Sequence, residues 1–161
     1  MADVKIKYAT SGTITCTLAA LASSSTIGRG STSIDNGTNL YDDVLLNLAI
    51  KVSGTGLGAA QAVEMYVYGS EDGTTFSGDS KENVGTDAAV TVSNPTNLLG
   101  PVVCSGTGGS TLRVVSPVAQ FFGGRMPRKW GFVVVNRTNL ALSPYETDHT
   151  KTYTGITYTV V

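Results

Sequence analysis

Apolar and polar residues alternate one by one through several stretches of this chain, and that alternation limits the possible folds more than any other feature. In residues 11–18, Ile14, Cys16 and Leu18 alternate with threonines. Residues 40–52 repeat the pattern over a longer stretch. Because successive side chains of a β-strand point to opposite faces, each stretch is predicted to be a strand with one buried face. The second stretch is predicted to bury Val44, Leu46, Leu48, Ile50 and Val52.

A helix is the alternative interpretation of residues 42–52, since Asp42 and Asp43 are residue types that favour the start of a helix. The two-residue period and the lack of a capping box at Asp42 favour a strand. Six further segments have the alternation or the composition of strands: residues 62–69, 88–92, 98–104, 111–115, 130–136 and 151–161. The continuous apolar run in residues 130–136 is typical of a strand that is central in its sheet or buried on both faces.

About eight strands without a major helix predict an all-β fold, an antiparallel β-sandwich that is jelly-roll-like. We expect one such domain over residues 11–161, preceded by a short, polar N-terminal arm at residues 1–10. Residues 19–39 form the longest stretch without alternation. That stretch either holds a strand near residues 24–27 or is an arm that becomes ordered against a partner.

Composition narrows the classes of function. Only 14% of the 161 residues are charged and the net charge is -1, whereas about 25% of a typical soluble domain is charged. A pI of about 5.7 argues against binding nucleic acid through a broad basic face. Asn47 and Lys51 interrupt the longest apolar run, which is shorter than the roughly 20 residues of a membrane helix. The N-terminus lacks the apolar core of a secretory signal, so we expect synthesis in the cytoplasm and no membrane partner.

Residue types that carry catalysis are scarce. His149 is the single histidine, and a Ser-His-Asp triad would have to include it. No G-x-S-x-G segment supplies a nucleophile. The alternative roles for His149 are a solvated residue or a partner in a local hydrogen bond, in the loop before the last strand. We therefore expect no enzyme activity, no catalytic residues and no cofactor.

Candidate binding motifs are weak. The acidic residues Glu71, Asp72, Asp79, Glu82 and Asp87 lie in one loop region, but the spacing of a calcium-binding loop is missing, so we expect no metal ion. The glycine-rich residues 54–58 and 106–109 lack the lysine of a phosphate-binding loop and are interpreted as turns.

A basic cluster and two cysteines complete the set of candidates. Arg125, Arg128 and Lys129 either contact nucleic acid or an acidic protein surface, or form a cationic loop that leads into the core at Trp130. Cys16 and Cys104 are predicted to be buried free thiols, with a disulfide as the alternative.

Four sequence segments, called phrases below, resemble small structural proteins of tailed bacteriophages, and the resemblance extends from about Ser11 to Ile156. The phrases are S-G-T-I-T-C-T-L-A-A-L-A-S-S-S-T-I-G-R-G (residues 11–30), Y-V-Y-G-S-E-D-G-T-T-F (66–76), P-R-K-W-G-F-V-V-V-N (127–136) and H-T-K-T-Y-T-G-I (149–156). The resemblance implies a virion protein, most similar to capsid decoration (cement) proteins with a jelly-roll-like fold. It implies a position on the capsid exterior, bound to the major capsid protein.

A decoration protein is expected to be a symmetric oligomer, and a homotrimer suits the local three-fold positions of an icosahedral lattice. Residues 1–10 and 19–39 are the expected contact elements, together with an exposed threonine face at Thr13, Thr15 and Thr17. Two rival functions remain: a tail or head-tail subunit, and a carbohydrate-binding module. The carbohydrate hypothesis rests on a stacking platform formed by Tyr66, Tyr68, Tyr153 and Tyr158.

Overall fold

The protein folds into two antiparallel β-sheets that pack against each other, which confirms the predicted all-β sandwich. A computed structural model describes residues 3–54, 57, 61–77, 84–92, 98–104 and 111–160. The strands in these residues are β1 (Val4–Tyr8), β2 (Gly12–Thr13), β3 (Ile27–Gly30), β4 (Ile34–Asp35), β5 (Asp43–Lys51), β6 (Ala62–Ser70), β7 (Ala89–Thr91), β8 (Leu99–Cys104), β9 (Thr111–Pro117), β10 (Lys129–Arg137) and β11 (Thr150–Val160).

Each sheet is built largely from strands that are distant in sequence. The first sheet has the order β1-β11-β5-β9, and β2 also pairs with β11. The second has the order β7-β3-β10-β6-β8, and β4 also pairs with β10. The jelly-roll arrangement of these strands stays a prediction.

All eight predicted strand segments contain a strand, and the described residues hold three further strands, of which only β3 overlaps a strand left open as an alternative. Residues 11–18 form a ladder only at β2, and the rest of the segment is extended with alternating burial. The additional strands are β1, β3 and β4. Strand β1 lies within the predicted arm, and β3 and β4 lie within residues 19–39, which favours the strand interpretation of that stretch. Strand β3 has the sequence IGRG, whose glycines carry no apolar alternation.

The core lies between the sheets and is formed by the residues that the alternation predicts. Ile14, Cys16 and Leu18 are buried, and so is the predicted face of β5, namely Val44, Leu46, Leu48, Ile50 and Val52. Opposite them lie Trp130, Phe132 and Val134 of β10. Burial of each large aliphatic side chain contributes about 1.5–3 kcal/mol, so this shared face is the main source of stability.

A second apolar cluster covers the outer face of the second sheet. Tyr66 and Tyr68 of β6 lie beside Val133 and Val135 of β10. The cluster also includes Val90, Val92 and Leu98, and Phe76 and Val84 pack against it. Strand β10 is therefore central and buried on both faces, as its continuous apolar run predicts.

Tyr68 shows why a glycine is needed in β10. Its ring meets Phe76 edge-on, with centroids 5.5 Å apart, and its hydroxyl donates a hydrogen bond to the carbonyl of Ser31 at 2.7 Å. The hydroxyl occupies the place that a Cβ at residue 131 would need, so Gly131 lets the phenol lie across the strand.

Helical structure in the described residues is short. The single α-helix, α1 (Asn36–Asn39), begins after Asp35, whose side chain accepts a hydrogen bond from the Gly37 N–H at 2.7 Å. Within the described residues, 3-10 helices occupy Ala119–Phe122 and Glu146–Asp148. No helix in the described part of the chain is long and apolar enough to cross a membrane.

Candidate interaction surface

His149 is buried at the start of β11. Its Nδ1 accepts a hydrogen bond from the Lys51 N–H at 3.3 Å, and its Nε2 lies 3.3 Å from the carbonyl oxygen of Ser143. Because a carbonyl only accepts, this arrangement assigns the proton to Nε2 of a neutral ring. Burial lowers the pKa of His149, which also favours the neutral form. Both ring nitrogens therefore lie within hydrogen-bond distance of backbone groups, as a local hydrogen-bonding role predicts.

Glu146 joins three segments close to His149. Its carboxylate accepts hydrogen bonds from the backbone N–H groups of Leu18 at 2.9 Å and Ala19 at 2.8 Å, and it also binds the ammonium of Lys151. Burial raises the pKa of Glu146, but the hydrogen bonds and the charge of Lys151 lower it overall. The carboxylate therefore fastens the extended segment after β2 to the beginning of β11.

Asp87, the last residue of the predicted acidic group, is held in a second structural junction. One carboxylate oxygen lies 2.6 Å from Nε of Arg29. The carboxylate also accepts hydrogen bonds from the N–H of Thr17 at 2.9 Å and from its hydroxyl at 2.6 Å. The threonine face is exposed as expected, but the Thr17 hydroxyl is used within the fold.

Of the remaining acidic residues, Asp72 holds a turn in the described structure. Asp72 accepts hydrogen bonds from the N–H groups of Thr75 and Thr74, each at 2.7 Å, and these bonds lower its pKa. Asp72 thereby stabilises the turn after β6. Asp79 and Glu82 lie outside the described residues. Among the described side chains, no group of three or more His, Cys, Asp or Glu could hold a metal ion.

The basic cluster leads into the core. Trp130 is fully buried and meets Tyr153 edge-on at a centroid distance of 5.7 Å, so it is a core residue. Arg128 donates a hydrogen bond to the carbonyl of Asp72 at 3.3 Å, and Arg125 is exposed. The glycine-rich segments at residues 54–58 and 106–109 lie partly or wholly outside the described residues.

Cys16 and Cys104 are free and buried, which confirms the prediction of free thiols. Burial raises the pKa of both, that of Cys104 to about 12. A buried thiol with a raised pKa forms little thiolate, the reactive form of cysteine.

The four tyrosines of the carbohydrate hypothesis do not form a common platform. Tyr66 and Tyr68 are buried in the second apolar cluster, and Tyr153 packs against the core between the sheets. Only Tyr158 of the four is exposed. Stacking on a sugar needs open ring faces, so this proposed platform is wrong.

The largest concentration of exposed apolar side chains lies where the ends of the chain meet. Strand β1 pairs antiparallel with the last part of β11 over residues 4–8 and 156–160. Val4 lies opposite Val160, Ile6 opposite Tyr158, and Tyr8 opposite Ile156. We call this pair of strand segments the terminal ribbon. Paired residues share a face, so these six side chains form one apolar face.

The apolar face of the terminal ribbon points away from the core. On β11 the core-facing residues include Tyr153, which pairs with the buried Leu46, and the alternate positions therefore point outward. Five of the ten exposed large apolar side chains in the described chain belong to this face: Val4 at 67% exposure, Ile6 at 55%, Tyr8 at 59%, Tyr158 at 57% and Val160 at 72%. The remainder are distributed over other parts of the surface.

The opposite face of β1 carries Lys5 and Lys7, which are exposed. None of the ion pairs found among the described residues includes either lysine. Beside the ribbon lies an open cleft of about 630 Å³ whose lining includes Asp42, Arg125 and Tyr158. The terminal ribbon therefore combines an uncharged apolar face, a basic face and a polar cleft at its base.

Sequence reasoning included these residues in a polar arm and did not identify the strand. The signal was present, because V-K-I-K-Y alternates apolar and basic residues with the two-residue period of a strand. Its short length and its lysines made it resemble a charged terminus.

When the chain was compared with protein-family models, curated proteins and solved structures, none of them matched it.

Proposed function

We propose that the protein is a structural component of a bacteriophage virion, namely a decoration protein that binds the outer surface of the capsid lattice as an oligomer. The observation that carries the proposal is the exposed apolar face of the terminal ribbon on a β-sandwich, which supports assembly of the protein as an oligomer. The largest exposed apolar patch of a protein is often functional, so this face supports a role in binding another protein surface.

The roles of the polar residues support a binding function. His149, Glu146 and Asp87 each bind backbone groups or a neighbouring side chain that holds the sandwich together. Catalytic acids and bases need a tuned environment open to a substrate. These residues instead stabilise the scaffold that presents the surface.

The location of the phage-like phrases also supports the proposal. Three of them coincide with β6 and its following turn, with β10, and with the beginning of β11. These strands form the interior of the two sheets. The resemblance therefore concerns the residues that define the sandwich, as expected of a shared structural scaffold.

A decoration protein gains binding strength from the repeated, equivalent sites on a capsid. A capsid offers the same surface many times, so a symmetric oligomer binds several equivalent positions at once and gains avidity. A sandwich with few charged residues suits this task, because close contact with a protein lattice then removes few charged side chains from water.

The test is a binding experiment with phage heads that lack this protein. Purified protein is added at increasing concentration, the heads are separated by sedimentation, and bound copies are counted. We expect saturation at a copy number compatible with the lattice symmetry. In parallel, disrupted virions are separated into heads and tails and probed for the protein. Its presence in the tail fraction alone would favour the tail-subunit rival, and failure to bind heads would contradict the decoration function.

A further inference from the structure

We propose that copies of this chain bind one another through the apolar face of the terminal ribbon, so that the face is covered by the same face of a second copy. This inference deepens the proposed function and rests on it for the expectation of an oligomer. It assigns a surface to the self-association, which the proposed function leaves open.

The exposed area fits a contact between copies. With about 150–200 Å² for each large side chain, the exposed fractions of Val4, Ile6, Tyr8, Tyr158 and Val160 amount to roughly 500 Å². Two such faces packed together remove roughly 1,000 Å² from water, which reaches the least area expected of a specific interface. The two tyrosines are also of the residue type enriched at the centres of such interfaces.

The position of the ribbon leaves room for a second copy. The pairing of β5 with β11 ends at Asp43 and Ile156, whereas β1 accompanies β11 to Val160. In the described structure the last part of β11 therefore pairs with β1 alone. A two-stranded ribbon is marginally stable by itself. A second apolar layer would supply the packing that the sandwich does not provide there.

The lysines of β1 favour packing of two apolar faces over side-by-side pairing of two β1 strands. Strand β1 is at the edge of its sheet, so two β1 strands could in principle pair side by side. The antiparallel register that pairs all three apolar residues of both strands would place Lys5 opposite Lys7 of the second copy, which is unfavourable. Lysines on an edge strand are a common device against such pairing. When the apolar faces pack together, the lysines stay on the other side of the ribbon, in water.

The first test measures the mass of the purified protein by light scattering on a sizing column, over a range of concentrations. Packing of this face on the same face of a second copy is a two-fold contact that closes at two chains, so we expect a dimer of twice the 16.7 kDa chain mass. The double variant Ile6→Thr with Tyr158→Thr removes two central apolar side chains while keeping residues that favour strands. Its dissociation constant is expected to rise at least about 100-fold. The matched controls are Lys5→Thr with Lys7→Thr on the opposite face, and Val115→Thr on β9, at the far edge of the same sheet.

A second variant tests contact without weakening the strand. Ile6→Cys adds one exposed thiol, and the native Cys16 and Cys104 are buried. Under mild oxidation we expect covalent dimers from Ile6→Cys and none from Val115→Cys. Circular dichroism and the fluorescence of the buried Trp130 confirm that each variant is folded.

The outcomes separate this inference from the proposed function. A wild-type protein that is monomeric at about 100 μM, or a double variant with unchanged mass, overturns the inference. If such a monomer still saturates phage heads, the decoration function survives and the ribbon contact fails. If the protein forms ribbon-dependent oligomers that ignore heads, the inference stands and the decoration function fails.

Discussion

Replacement of Asp87 by asparagine tests how the extended segment after β2 is fixed to the second sheet. The Asp87 carboxylate contacts Arg29 of β3 and accepts two hydrogen bonds from Thr17. Asparagine keeps the size of the side chain but removes its charge and one of its two acceptor oxygens. At least one of these bonds must therefore be lost.

The magnitude follows from the ionisation of the carboxylate. Burial raises the pKa of Asp87, but the hydrogen bonds from Arg29 and Thr17 outweigh it and lower the pKa from 3.8 to about 2. Each whole-number change in pKa corresponds to about 1.4 kcal/mol, so the native environment favours the charged form by about 2 kcal/mol. The side chain is only 18% exposed, so solvent screening reduces this value little. We expect Asp87→Asn to lower the free energy of unfolding by about 2 kcal/mol at neutral pH.

The pH dependence gives the decisive measurement. A carboxylate whose pKa is lowered by folding stabilises the native state above its unfolded pKa of about 3.9, and the contribution is lost as the pH falls toward 2. The difference in stability between wild type and Asp87→Asn should therefore shrink across this interval. Urea unfolding followed by the fluorescence of Trp130, the single tryptophan, measures it at each pH.

The exposed Asp3 provides the matched control, because Asp3→Asn changes the same charge at an exposed position. Asp3→Asn should unfold like the wild type at neutral pH. Equal stability of Asp87→Asn and wild type at neutral pH, or a difference that stays constant down to about pH 2, would refute the reasoning.

Three further predictions concern the core and the buried polar groups. Leu46→Ala should lower the free energy of unfolding by about 3–4 kcal/mol in urea, because Leu46 is fully buried, whereas Leu40→Ala at 73% exposure should cost less than about 1 kcal/mol. Cys16 and Cys104 should react with a thiol reagent only slowly in the folded protein and rapidly after unfolding; fast reaction of both in the folded state would contradict their burial. Burial lowers the pKa of His149, so the unfolded chain takes up a proton first and stability should decline as the pH falls below about 6.5. His149→Gln should lack that part of the decline in urea unfolding, and an identical pH profile would contradict the assignment.

Prediction from sequence succeeded where burial follows a local pattern. The alternation in residues 40–52 identified the buried face of β5, and the continuous apolar run of residues 130–136 identified a central strand. Both signals arise from the two-residue period of a strand, which is set by backbone geometry within one segment. The same pattern in V-K-I-K-Y was present in β1 but too short to stand out against its lysines.

Prediction failed where a distant segment covers a face. Tyr66 and Tyr68 occupy the alternate face of β6, which a strand of a two-sheet sandwich normally exposes. Here Phe76 and Val84 pack against that face, so the tyrosines are buried. The sequence of β6 alone does not indicate that its outer face is buried.

The sequence by itself determined that the chain forms strands, which residues of β5 face the core, and that Trp130 lies in an apolar run. Only the tertiary structure decided that β1 pairs with β11, that the sheet containing Tyr68 is covered on both sides, and that His149 binds backbone groups of two segments. The physical reason is the range of the interactions. Side-chain alternation is fixed by neighbouring residues, whereas pairing, covering and hydrogen bonding in this fold join residues as far apart as Val4 and Val160.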